Sequence, residues 1–184
     1  MSGAPNPGWP SQPYPGLRPF EAHEWPIFFG REKMIDQVIE RLARNGLVLI
    51  LGAAGSGKTT TLTALIDRIN STRPAHIATI ESPIEYQHTN KQSFVSQHEI
   101  GNDSSSQLRA LQQLRKQAPD VVVVGDLRSP EVIEEVLSLS EACLCFGTLE
   151  GQWFHAIGKL IRAFPQSRHL AIQERLGSVL KFTM

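Results

Sequence analysis

Eight residues, Gly52 to Thr59, read GAAGSGKT and match G-x-x-x-x-G-K-[ST] in full. The chemistry this pattern serves is the holding of a phosphate chain. Gly55 and Gly57 let the backbone turn its N–H groups inward onto phosphate oxygens, and a helix expected from Lys58 onward adds the positive end of its dipole. The Lys58 ammonium would reach β- and γ-phosphates, and the Thr59 hydroxyl would ligate Mg²⁺. The expected ATP-binding set is therefore Gly52, Gly55, Ser56, Gly57, Lys58, Thr59 and Thr60, with Thr59 also on the metal.

Hydrolysis would need carboxylates as well. Asp126 closes the stretch PDVVVVGD, at the carboxyl end of an apolar run that reads as a buried strand, the edge of an α/β sheet where ligands bind. There it would hold the metal's water shell or activate the attacking water. The same stretch continues into SPEVIEE, and Asp, Ser and Pro favour the start of a helix, so Asp126 has a second reading as a helix-start residue. IESPIEY offers Glu81 at a strand end and Glu85 in the loop that follows, both placed for a general-base or metal-shell role. Two glutamates in a loop are also commonly just solvated. The histidines His23, His76, His88, His98, His155 and His169 show none of the spacings that hold zinc.

These residues need elements to position them. LVLIL before the loop is a wholly apolar run, the pattern of a strand buried on both faces, and it returns at HIATIE, VVVVG and CLCFG. Between the runs, apolar residues recur at helical spacing over Lys58 to Asn70, Ser104 to Lys116, Glu131 to Ser140, Phe154 to Ala163 and Arg168 to Lys181, and upstream over Arg31 to Arg44. Strands alternating with helices predict a parallel sheet covered on both sides. Six prolines within the first 19 residues read instead as an extended, solvated arm over 1–19, with Trp9 and Tyr14 leaving room for a docking peptide.

Composition bounds the partners. In 184 residues, 18 Lys and Arg balance 18 Asp and Glu, so no global field gathers nucleic acid or an anionic membrane surface. No apolar run approaches the roughly 20 residues that cross a bilayer, and the start MSGAPNPGWP lacks the regions of a signal peptide. Cys143 and Cys145 lie two apart in an apolar strand, which points both to one face inside a core and keeps them reduced; a cytoplasmic setting is expected.

With these pieces in order, the chain resembles the secretion and pilus-retraction ATPases of the type II/type IV secretion family (PilT-type) from about Asn45 to Lys181. GLVLILGAAGSGKTTTLTALIDRIN is similar to that family's Walker A strand and helix, IATIESPIEYQH to its Asp box, and the stretch from SQHEIG through VVVVGDLRS to its Walker B region. FGTLEG stands at its His-box position. The resemblance implies a three-layer P-loop NTPase fold (RecA-like, mainly parallel), Mg²⁺-dependent ATP hydrolysis, a hexameric homo-oligomer and partners in secretion or pilus machinery. PYPGLRPFEAHEWPIFFGRE, from Pro13 to Glu32, instead resembles the lead-in to a STAND-type or AAA-like module, whose entry helix is set at 20–45, with Phe28, Phe29 and Gly30 as an adenine wall or an N-terminal staple. The domain reading is thus an arm over 1–19 and one P-loop domain over 20–184, its secretion-ATPase-like core at 46–182. The family's PAS-like N-terminal domain and further C-terminal helices are not expected within this chain.

Departures from the family pattern qualify the activity. Ser82 replaces the Asp of Glu-Asp-Pro, while Glu81 and Glu85 remain. Walker B ends Gly125-Asp126 in place of Gly-Glu, so one methylene, about 1.5 Å of reach, is missing. A displacement of about 1 Å in a catalytic group can cost about 10²-fold in rate, or roughly 2.7 kcal/mol. Cys143 and Glu150 stand near the two His-box positions, and Glu150 would repel a triphosphate unless a cation screens it. His98 replaces an Arg. Slow ATP hydrolysis is the first expectation; the alternatives are a switch or regulatory module that binds ATP and hydrolyses it poorly, and a scaffold with a vestigial loop. Arg109, Arg115 and Arg128 are candidates for an arginine donated between subunits.

Overall fold

Four runs of β-branched and aliphatic residues build the centre of one sheet. The computed structural model describes residues 45–101, 104–127 and 129–183. The first strand, β1 (Gly46–Gly52), leads into the phosphate loop and then helix α1 (Lys58–Thr72). There follow β2 (His76–Glu81), β3 (Phe94–Glu99), α2 (Ser104–Gln117), β4 (Val121–Val124), α3 (Pro130–Ser140), β5 (Leu144–Glu150) and α4 (Trp153–Arg162). A 3-10 turn (Gln166–Arg168), α5 (His169–Val179) and β6 (Leu180–Thr183) close the described chain. The arm over 1–19, the segment Phe28 to Gly30, the helix expected at Arg31 to Arg44 and Arg128 lie outside the described residues.

All strand pairs are parallel, in the order β3-β2-β4-β5-β1-β6. Parallel strands need long crossovers, which is why helices separate most of the strands and cover both faces. On one face Val48, Ile50, Ile77, Val123 and Phe146 pack against Leu62, Leu65, Ile66 and Ile69 of α1. On the other, Leu47, Leu49, Ile80, Val122 and Val124 pack against Leu111 and Leu114 of α2 and Ile133, Val136 and Leu137 of α3. Val121 to Val124 are wholly buried, as a strand covered on both sides requires. The result is the helix–sheet–helix sandwich expected of an α/β P-loop NTPase.

Two elements differ from the expectation. The helix predicted over Arg168 to Lys181 ends at Val179, and Leu180–Thr183 turns extended to pair with β1 as a sixth strand. FVSQHE, which carries no clean alternation, forms the edge strand β3, held in register by β2. Cys143 and Cys145 are both free and buried, in the same core, with their sulfurs 3.8 Å apart. Among the described residues no helix is long and apolar enough to cross a membrane.

Candidate functional site

The phosphate loop is built from the backbone. Gly55 (φ 74°) and Gly57 (φ 84°) both adopt left-handed conformations that other residues rarely take, and they turn the chain from β1 into α1. The loop is closed by Ser56 N–H donating to Ala53 C=O at 3.2 Å, and α1 begins with Thr61 N–H donating to Gly57 C=O at 2.9 Å. A Cβ on Gly55 or Gly57 would meet nothing within 4 Å, whereas one on Gly52 would overlap the Ser56 hydroxyl. The loop is thus tightly curled on its inner side and open on the other.

Lys58, at the first position of α1, folds its ammonium across the loop. It donates to the carbonyl oxygens of Gly52 at 2.8 Å and Ala53 at 2.7 Å. An ammonium has three donors, so one remains for a phosphate oxygen. Thr59 and Thr60 are half-buried in the first turn of α1, and Ser56 is exposed on the loop. A cradle of left-handed glycines, a helix N-terminus and a cation over its mouth fits a phosphate chain.

The candidate carboxylates lie along the same carboxyl edge of the sheet. β5 stands between β1 and β4, and β2 lies beyond β4, so the ends of β4 and β2 are two and three strand spacings from the loop strand, about 10 and 14 Å. Asp126 follows β4. Its backbone is fixed: the Gln107 amide donates to the carbonyls of Gly125 at 3.2 Å and Asp126 at 3.3 Å, and Leu127 N–H donates to Thr148 C=O at 3.0 Å. The start of α3 is capped by Ser129, whose hydroxyl oxygen accepts from Val132 N–H at 3.3 Å, with Pro130 at the first helical position. The capping task that offered Asp126 its second reading thus falls to Ser129.

Asp126 and Glu150 line one cavity of about 530 Å³ at the ends of β4 and β5, together with Lys159 and Arg162 of α4. Glu150 is the register partner of Gly52, so it sits directly beside the start of the phosphate loop. Lys159 and Arg162 place two cations in the same cavity as its carboxylate.

Glu81 ends β2. Strand alternation puts Ile77, Thr79 and Glu81 on one face, and Ile77 packs with α1, so Glu81 shares the side of the sheet that carries α1. Its Oε1 accepts from the Thr79 hydroxyl at 2.6 Å and from the Gln97 amide at 3.1 Å. Glu85 is exposed in the loop beyond. Gly125 packs under the end of β2, a Cβ there lying 3.4 Å from Ile80 C=O and 3.8 Å from Glu81 Cα, so the ends of β2 and β4 abut.

Residues that positional reasoning on the motifs missed are Thr79, Gln97 and Gln107. Thr79 acts two residues along its own strand, Gln97 across the β2–β3 pairing and Gln107 from helix α2, contacts that only the folded chain makes. Of the arginines, Arg115 pairs with Glu135 of α3 at 3.3 Å and with the Ser138 hydroxyl at 3.1 Å, and Arg109 is exposed on α2.

The loop between Glu81 and β3 also contains a titrating group. Burial, opposed by Asp67 and reinforced by Lys91, pushes the His88 imidazole from 6.5 down to about 4. An unfolded chain takes up this proton near pH 6.5 and the folded one only near pH 4, so stability present above that window is lost as pH falls through it. The melting temperature is therefore expected to drop between pH 6.5 and about 4, and His88→Gln is expected to flatten that drop in a thermal-melt series.

A parallel sheet flanked by helices, with a complete glycine–lysine phosphate loop between its β1 strand and the following helix, defines a P-loop NTPase. The family model described as "Type II/IV secretion system protein" matches residues 30–162. The chain belongs to that family. It is 37% identical over 147 residues to the twitching motility protein of Neisseria gonorrhoeae, covering 78% of this chain and 39% of that one. It is also 37% identical over 138 residues to the type IV pilus retraction ATPase PilT of Pseudomonas aeruginosa, covering 74% and 40%. Among solved structures, the pilus retraction motor PilT with bound ADP superposes with a TM-score of 0.73 at 36% identity, covering 81% of this chain and 43% of that one. The Legionella pneumophila ATPase DotB superposes at 0.72 with 25% identity over 79% and 42%. The chain thus spans about two fifths of these relatives.

Proposed function

We propose that this chain binds ATP with Mg²⁺ and hydrolyses it slowly, as the nucleotide-handling core of a secretion or pilus motor. The observation that carries the reading is the intact loop with Lys58 across its mouth, on the same sheet edge as a carboxylate, Glu81, that is fixed by two hydrogen bonds. The loop N–H groups and Lys58 hold the β- and γ-phosphates, and Thr59 and Asp126 are the residues for the metal and its water shell. Mg²⁺ supplies charge neutralisation on the phosphate oxygens. Glu81, or Glu85 from the loop, takes a proton from the attacking water as its oxygen bonds to the γ-phosphorus and the bond to the β-phosphate oxygen breaks, releasing ADP and phosphate. Support from the relatives is the ATPase named at 37% identity and the ADP held by the PilT motor.

The alternative is a switch that binds ATP without turning it over. It is favoured by the shortened Asp126 and by the carboxylate of Glu150 opposite Gly52. Assembly into a ring, by analogy with the family, would let Arg109 reach a neighbour's nucleotide; Arg115 is already committed to Glu135 within its own chain. A cytoplasmic location and partners in pilus or secretion machinery follow from the same analogy.

Glu81→Gln separates chemistry from binding. It is expected to keep ATP binding while lowering phosphate release by about 10²-fold, the loss typical of a removed general base. Equal release by the variant would remove Glu81 from the reaction.

A further inference from the structure

We propose that Thr79 and Gln97 are positioning residues that aim the Glu81 carboxylate and lock it to the loop beyond it; the inference rests on Glu81 acting on the water. Thr79 is wholly buried in β2, where an unbonded hydroxyl would be costly, and its hydroxyl donates to Glu81 Oε1 at 2.6 Å. Gln97 lies on the neighbouring strand β3 as the register partner of Thr79, so its side chain emerges on the same face. Its amide is fully committed. One N–H donates to Glu81 Oε1 at 3.1 Å, the other to Tyr86 C=O at 2.8 Å, and its oxygen accepts from His88 N–H at 2.7 Å.

The chemistry fixes which way the amide points. Both groups facing its nitrogen are acceptors and the group facing its oxygen is a backbone donor, so a flipped amide would lose all three bonds. Both donors to Glu81 fall on Oε1, and among the described residues Oε2 has no hydrogen-bond partner. Two fixed bonds on one oxygen set the plane of the carboxylate and leave the other oxygen to accept a proton. Since Gln97 also grips the backbone at Tyr86 and His88, the loop carrying Glu85 and the direction of Glu81 form one unit. A further anchor acts on the same loop: buried Asn70 of α1 accepts from Lys91 N–H at 3.0 Å and donates to Thr89 C=O at 2.8 Å. The loop is therefore tied to the helix that begins at the phosphate site and, through Gln97, to the carboxylate.

The test is steady-state ATP hydrolysis and equilibrium ATP binding by the full chain. The variants are Thr79→Val, Thr79→Ser, Gln97→Met and Glu81→Gln, with Thr79→Val also made in the Glu81→Gln background. Valine keeps the shape of threonine in a buried strand and removes only the hydroxyl, so it preserves the fold even if Gln97→Met does not. Thr79→Val and Gln97→Met are expected to lower kcat about 10-fold through misaim of the carboxylate, with KM and ATP binding unchanged. Thr79→Ser is expected to restore kcat, and Thr79→Val to add nothing once Glu81 is Gln. An unchanged kcat in Thr79→Val, with Glu81→Gln still impaired, overturns the positioning role and leaves Glu81 as the base. A rise in KM with kcat intact, or a loss that Thr79→Ser does not rescue, overturns it too. Full phosphate release by Glu81→Gln overturns the reading of Glu81 and this inference with it.

Discussion

Replacing Lys58 by alanine is expected to weaken Mg²⁺-ATP binding by at least about 10²-fold and to bring phosphate release to background. The one donor that Gly52 and Ala53 leave over makes a charge-assisted hydrogen bond of about 1.5–3 kcal/mol, and the ammonium's charge attracts both phosphates beyond it. The loss should be one of affinity rather than of fold. Lys58 is half-buried, and its two acceptors, the carbonyls of Gly52 and Ala53, lie in a loop that water reaches. Equilibrium titration with a fluorescent ATP analogue, alongside a thermal melt, checks both halves of the expectation. Undiminished affinity would mean that nucleotide is held elsewhere.

The second large effect runs the other way. Asp126→Glu is expected to raise the rate of phosphate release by up to about 10²-fold, because it restores about 1.5 Å of reach to the carboxylate at the end of β4. The local structure can accept the longer side chain. Gln107 and the Leu127–Thr148 hydrogen bond fix the backbone on either side, and the adjoining cavity of about 530 Å³ gives the added methylene room. Single-turnover measurement isolates the chemical step, since ATP affinity set by the phosphate loop should not change. A rate equal to wild type would mean that the Asp126 carboxylate is not what limits hydrolysis.

How much of this was legible in the chain follows from what each element depends on. The four central strands announce themselves because a strand buried on both faces must be apolar throughout, as Val121 to Val124 are. The phosphate loop is legible because its requirement is local: glycines at the left-handed positions and a lysine at the helix start. β3 and β6 were not, since both are edge strands. Phe94–Glu99 mixes apolar and polar residues because only one side of it is paired, and Leu180–Thr183 continues a helical pattern until pairing with β1 pulls it straight. The site divides the same way. Glu81 and Asp126 can be placed from the strands they terminate, whereas Gln97 is joined to Glu81 only through the parallel register of β2 and β3, a contact between residues 16 apart. SPE carried a readable cap, and the structure assigns it to Ser129 rather than Asp126.

Release of phosphate from Mg²⁺-ATP by the purified chain decides whether this loop spends, though slowly, the nucleotide it holds. Lys58→Ala sets the background, EDTA removes the metal, and protein concentration is varied widely. Metal-dependent release above the Lys58→Ala background is expected, rising per subunit as concentration brings chains together. ATP bound by wild type and not by Lys58→Ala, with release at background at every concentration, would contradict it and leave a nucleotide-holding switch.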